Sequence, residues 1–222
     1  MKSSATNPNC RISRRNFLHK TGLLTAAAAL VQSEWVSGLL VPEARAVPGM
    51  NATDTFNGLA AFIVPGPDPY SAHQGVTDAR PGAVAACTGS ILAASLDLID
   101  VGPPPFPGFS AFVAFFLNHV AQTVNPTVSG PFDSHFANLS FEDKALVFSV
   151  IESGFAGAEL APLGGILPAL TAFIAYSEAG LVNPDFCTMN GAPVGWVISG
   201  YEGVADGRND FQGYFQNRRG TA

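Results

Sequence analysis

Three histidines follow residue 46 of this 222-residue chain: His73, His119 and His135. Imidazoles exchange protons near neutral pH and are the commonest metal ligands. Asp78, five residues after His73, and Asp133, in the run Asp133-Ser134-His135, could complete a metal or acid–base site with them. The competing reading is structural: His73 and His135 as polar loop residues, and His119 bonded near the end of an apolar helix. Glu152 and Glu159, seven residues apart, specify no reaction, and Glu178 reads as a solvated helix end. The sequence contains no G-x-G-x-x-G after a strand, no phosphate-cradling Walker loop and no G-x-S-x-G nucleophile elbow. It also has no C-x-x-C for haem, zinc or an iron–sulfur cluster. The sequence therefore assigns no catalytic, cofactor-binding or metal-binding residue. The histidines define the alternative of a free-standing exported enzyme, or of a small-ligand- or metal-binding protein.

The pattern of highest information lies upstream. Ser13-Arg14-Arg15-Asn16-Phe17-Leu18-His19-Lys20 matches the twin-arginine pattern S-R-R-x-F-L-x-K at Ser13, Arg14, Arg15, Phe17, Leu18 and Lys20. A short alanine-rich apolar run, Gly22–Val31, follows, and Gln32, Ser33 and Glu34 interrupt it. Ala44-Arg45-Ala46 then offers small residues at Ala44 and Ala46, the two positions a signal peptidase reads. A charged segment, an apolar segment and a small-residue cleavage site are the order of an export signal, and the paired arginines direct it to the twin-arginine translocase. That route carries folded proteins, so the expected destination is the periplasm or the cell exterior. An apolar run of about ten residues is too short to span about 30 Å of hydrocarbon, so no stable membrane span is expected.

The division read from the sequence is residues 1–46 as signal, 47–180 as a helical domain, and 181–222 as an irregular tail on the same domain. Six of the 11 basic and two of the 17 acidic residues lie in the signal, which leaves the remainder a net charge of −10. So acidic a surface argues against nucleic acid and anionic lipid as partners. Charged residues make up 13% of the chain, about half the usual fraction, as expected of a body that buries much of itself, including a face against another protein. Cys10 leaves with the signal. Cys87 and Cys187 remain, and in an oxidising compartment they could form one disulfide. It would close a loop of about 100 residues and contribute about 3–5 kcal/mol. The alternative is two buried free thiols, since cysteine is among the most buried residue types.

The fold expected is all-α, with about five helices. Phe56, Leu59, Ala60 and Ile63 recur at helical spacing over 55–64, with Thr53 or Asp54 as cap, before Pro65-Gly66-Pro67-Asp68-Pro69 halts the helix. A loop runs through His73 to Arg80. Pro81 suits the first turn of a long helix over 82–100, with Val84, Cys87, Ile91, Leu92, Ser95 and Leu98 as its stripe. A proline connector at 102–105 leads to an apolar helix over 109–124. Ser140, ahead of Glu142 and Asp143, caps a helix over 141–153, with Leu146, Val147, Val150 and Ile151 facing inward. A further apolar helix is expected over 167–179, with Pro168 in its first turn. From Leu181 glycines and turn dipeptides break regular structure, with one short helix near 210–216. Trp196, Tyr201, Phe211, Tyr214 and Phe215 give the tail a dense aromatic set, either wrapping the helical core or contacting a partner.

The leader, the run Phe56-Asn57-Gly58-Leu59-Ala60-Ala61-Phe62-Ile63-Val64-Pro65, and the helix start Leu139-Ser140-x-Glu142-Asp143 together resemble the small (gamma, subunit 3) subunit of gluconate 2-dehydrogenase-type complexes. The proline connector and the tail around Gly200–Gly207 lie outside that resemblance. It implies an accessory subunit without a cofactor of its own. Its partner would be a larger flavoprotein of the glucose–methanol–choline oxidoreductase type, which carries FAD and the chemistry. The small subunit would supply the export signal.

Overall fold

The computed structural model describes residues 52–98, 106–155, 157–177, 182–183, 188–189 and 194–200. The signal residues Ser13–Lys20, Ala44 and Ala46, the proline connector, and Cys187, Tyr201, Phe211, Tyr214 and Phe215 lie outside the described residues, as does the short helix expected near 210–216. Among the described residues the protein is all-α. It has seven helices: α1 (Ala52–Ile63), α2 (Pro69–Gln74), α3 (Thr88–Asp97), α4 (Phe109–Val124), α5 (Phe141–Glu152), α6 (Pro162–Tyr176) and α7 (Val194–Ser199). Two two-residue strands, β1 (Val182–Asn183) and β2 (Thr188–Met189), pair antiparallel with Val182 opposite Met189. No helix among the described residues is long and apolar enough to cross a membrane.

The longest helix supplies the largest share of the main core. α4 buries Phe109, Phe112, Val113, Phe116, Leu117, Val120 and Ala121, more than one face, as its sequence requires. The same core takes in Phe56 and Leu59 of α1, Leu92 and Leu96 of α3, Val147, Phe148 and Ile151 of α5, and Leu163, Leu167 and Ile174 of α6. Each such side chain, fully buried, stabilises the fold by about 1.5–3 kcal/mol. A smaller apolar cluster lies where α7 seats Val194 against Ala60, Val64, Ala83 and Ala175.

Helix ends follow local chemistry. α1 stops because Pro65 has no N–H to give to Ala61, and the last bond of its ladder is Val64 N–H to Ala60 C=O at 3.0 Å. α1 also begins earlier than expected, so Thr53 and Asp54 lie within it. α4 is capped from another helix. The Asp97 carboxylate accepts from the Ser110 N–H at 2.9 Å and from the Ser110 hydroxyl at 2.8 Å, placing a negative charge at the helix N-terminus. α5 carries the expected cap, the Ser140 hydroxyl accepting from the Asp143 N–H at 3.1 Å.

The structure corrects the expected elements in five places. In the tail read as irregular from Leu181 it forms α7 and the β1–β2 pair. The stretch read as loop holds α2, capped by Asp68, whose Oδ1 accepts from the Ser71 N–H at 2.9 Å. Gly75, at φ 88°, closes it in the left-handed conformation that suits glycine. Pro69 begins this helix rather than preventing one. The long helix expected over 82–100 instead starts at Thr88. Gly82 crosses Gly66 backbone to backbone, where a side chain on Gly82 would sit 2.6 Å from the Gly66 nitrogen. Ala83 N–H donates to Val64 C=O at 2.9 Å, which holds 82–87 in a turn. Cys87 and Leu98 are accordingly exposed rather than part of a buried stripe. Leu146 is 49% exposed, and Lys144 takes the inward position. Finally, α6 begins at Pro162, so Pro168 is inside it.

Candidate functional site

His73, on the last turn of α2, has its Nε2 3.1 Å from the Asn138 carbonyl oxygen, and its ring meets Phe132 edge-on. His135 Nε2 lies 2.6 Å from the Asn125 carbonyl oxygen. Both contacts suit a ring N–H donating to a carbonyl, which turns each ring into a tie between loops. His119 is exposed on α4 and stacks on Phe115, four residues earlier. Asp78, paired with His73 by sequence proximity alone, is instead held by Arg80 at 3.1 Å, and that hydrogen-bonded guanidinium lowers its carboxyl to about 2. Among the described residues no group of three His, Cys, Asp or Glu side chains could hold a metal ion. The three histidines are not brought into one such set.

The interior holds two buried polar centres built without the histidines. The first is a closed ring between α1, α4 and the turn before α5. Asn118 Nδ2 donates to Thr55 Oγ1 at 2.8 Å and to the Ala114 carbonyl at 2.8 Å. Thr55 Oγ1 donates to Ser134 Oγ at 2.9 Å, which donates to Asn118 Oδ1 at 3.0 Å. Two backbone groups join it. Phe136 N–H donates to Asn118 Oδ1 at 3.0 Å, and Ala137 N–H donates to Ser134 Oγ at 3.1 Å. Both protons of the Asn118 amide and its oxygen are used, as a buried amide requires. The ring fixes the turn 134–139 so closely on α1 that a side chain on Gly58 would sit 2.8 Å from Ala137 Cα.

The second centre is Lys144, on α5. It is 0% exposed. Its Nζ donates to Gln74 Oε1 at 2.8 Å and to the Gly58 carbonyl at 3.3 Å, and it lies 5.7 Å from the centre of the Phe136 ring. Gln74 in turn donates from Nε2 to the Ala61 carbonyl at 2.9 Å, the acceptor that Pro65 leaves open. Among the described residues no carboxylate lies within ion-pair distance of Lys144. Burial lowers its amine to about 7, and only the more distant charge of Asp68 opposes that. The sequence held a signal for it. Lys144 is the single lysine after residue 46, and it sits in register with Val147, Phe148 and Ile151, an i, i+3, i+4, i+7 face.

A third polar group lies nearer the surface. Tyr70 donates to Asp54 Oδ1 at 2.6 Å, Asp133 N–H donates to Asp54 Oδ2 at 2.9 Å, and Tyr70 stacks on Phe132 with ring centres 4.2 Å apart. Partial burial, then the bond to Asp54, raise the tyrosine hydroxyl above its ordinary value.

Of the aromatic residues expected at a partner contact, Trp196 is described, half-buried on α7. Large apolar side chains stand exposed elsewhere, chief among them Phe155 at 75% and Leu98 at 63%. Cys87 carries a free, exposed thiol at the start of α3, in the left-handed conformation with φ 55°. Comparison of the chain with protein-family models, curated proteins and solved structures found no match.

Proposed function

We propose that the chain is a non-catalytic accessory subunit that escorts a larger flavin-dependent dehydrogenase or oxidase through the twin-arginine route. The observation that carries this reading is the stretch Ser13-Arg14-Arg15-Asn16-Phe17-Leu18-His19-Lys20 at the head of a body with no cofactor-binding motif in its sequence. A route for folded cargo is useful to a protein that must receive its cofactor before export, and a signal on a chain without such a motif serves a partner that has one. The structure adds support. His73 and His135 are spent on backbone carbonyls of the body, and the polar groups of its interior are turned on one another. Phe155, Leu146 and Tyr176 offer apolar surface that a second chain would cover. The partner is of the glucose–methanol–choline type and carries FAD, as the resemblance implies.

The test is export of two chains at once. The protein is purified from the exported fraction at native expression level, with an absorbance spectrum and the masses of co-eluting chains. A flavin spectrum and a larger chain are expected. Replacing Arg14 and Arg15 by lysine should strand both chains in the cytoplasm. A larger chain that exports normally beside the R14K/R15K variant ends the escort reading.

A further inference from the structure

The Lys144 centre binds together three helices that are not otherwise alike in their anchorage. α1 and α5 belong to the main core through Phe56, Leu59, Val147 and Ile151. α2 is six residues long and buries only Ser71 and Gln74, both polar. It is flanked by Pro65-Gly66 on one side and by Gly75 in the left-handed conformation on the other. Its buried tie to α5 is Gln74, which spans from the Lys144 amine to the Ala61 carbonyl, while nearer the surface Tyr70 donates to Asp54 of α1 and His73 meets the Asn138 carbonyl. Swinging α2 outward would break both Gln74 bonds together with those of Tyr70 and His73, and admit water to Nζ.

An amine in that position is asymmetric toward protons. Closed, it meets two neutral oxygens and an aromatic face, with no counter-ion among the described residues. Open, it meets water, and an ordinary lysine amine there holds its proton until about pH 10.4. We propose that Lys144 makes the junction of α1, α2 and α5 a proton-coupled hinge, in which α2 opens as the amine takes up a proton and closes as it loses one.

The other charged groups around the junction are engaged elsewhere or act weakly on it. On α1, Asp54 is bonded to Tyr70 and to the Asp133 N–H. At the start of α2, Asp68 holds the Ser71 N–H and hydroxyl, and its charge is the one that reaches Lys144, favouring the protonated amine. His73 on α2 faces the Asn138 carbonyl, and His135 in the neighbouring turn faces the Asn125 carbonyl. On α5, Asp143 accepts from the Asn125 side chain, and Glu142 is exposed. The lowered proton affinity of the buried amine agrees with the geometry. An opening that exposes it takes up one proton throughout the range between its closed and open affinities, so the opening constant grows about tenfold for each pH unit of acidification there.

Two measurements on the full chain test this. The first is the ¹⁵N signal of the lysine Nζ groups, of which there are three, Lys2, Lys20 and Lys144. The signal missing from Lys144→Met should titrate about three pH units below the other two, and a Lys144 signal titrating with Lys2 and Lys20 overturns the hinge without requiring any variant to fold well. The second is hydrogen exchange of the amides of residues 66–75, corrected for intrinsic rates and referred to those of α4. Between pH 8.5 and 7.5 their protection should fall about tenfold in the natural chain, and equally in His73→Gln and His135→Gln, but hold constant in Lys144→Met. A tenfold fall that persists in Lys144→Met assigns the proton to another group and overturns the proposal.

Discussion

The ring of Thr55, Asn118 and Ser134 and the brace of Lys144 and Gln74 both meet the turn that carries Phe136, and they solve burial differently. The ring is neutral, and each amide proton of Asn118 has its own acceptor. The brace buries a titratable amine against neutral oxygens. A satisfied neutral network rigidifies at little electrostatic cost, whereas an amine without a counter-ion leaves the fold exposed to pH. The ring should therefore set how stable the domain is, and the brace how that stability responds to protons.

The ring is broken most completely at its one bidentate member. Asn118→Leu fills the volume but leaves the Phe136 N–H, the Thr55 hydroxyl and the Ser134 hydroxyl short of partners. Urea unfolding should show a loss of roughly 3–5 kcal/mol, independent of pH between 6 and 9. A pH-dependent loss would show that ring and brace are one network.

The brace gives the second largest effect, and its sign is fixed by linkage. With the amine lowered to about 7 in the folded protein and ordinary when unfolded, unfolding takes up a proton between about pH 7 and 10. Stability from this group therefore rises with pH across that window, by up to about 1.4 kcal/mol per unit, and is flat below it, where both states carry the proton. Tyr70 is moved away from the window, its hydroxyl raised by partial burial and then by the bond to Asp54. Lys144→Met should abolish the slope, leaving a variant at least as stable as the natural protein at pH 7 and less favoured at pH 9.5. Gln74→Met attacks the same centre from α2. It leaves the Ala61 carbonyl and one amine proton unpaired, costs about 2–3 kcal/mol at any pH, and speeds the exchange of residues 66–75.

The contrast between the two centres also marks how far the sequence could be read. The all-α class, the bounds of α4 and the Ser140 cap were legible because apolar period and capping chemistry are local. The start of α3 was not, because what unwinds residues 82–87 is a crossing with Gly66 sixteen residues away in the chain. α2 was missed since three prolines read as a stop, and six residues are too few to show a period. Neither polar centre announced itself. The members of the ring lie 63 and 79 residues from Thr55, and Thr, Asn and Ser in helices and turns are ordinary residues. Lys144 did occupy an apolar register position, but a single lysine on a helix beside Glu142 and Asp143 reads first as part of a solvated face.

A third kind of buried polar group completes the series from satisfied to half-satisfied to unsatisfied. Thr88, the first residue of α3, is fully buried, and its hydroxyl meets no hydrogen-bond partner among the described residues. Its backbone is already used, the N–H donating to the Ala83 carbonyl at 3.0 Å, so the side chain contributes only its shape. Valine keeps that shape, replaces the hydroxyl by a methyl and favours no different backbone at a helix start beside Cys87. Thr88→Val should therefore stabilise the domain by about 1 kcal/mol, raising Tm by about 2–4 °C. The same step applied to the ring, Thr55→Val, removes an oxygen that both donates and accepts and should destabilise. Opposite signs for one chemical change at two fully buried threonines would show that partner geometry, not burial of a hydroxyl as such, decides the energetics of this core. Destabilisation at both would mean that the Thr88 hydroxyl is held, by a bound water.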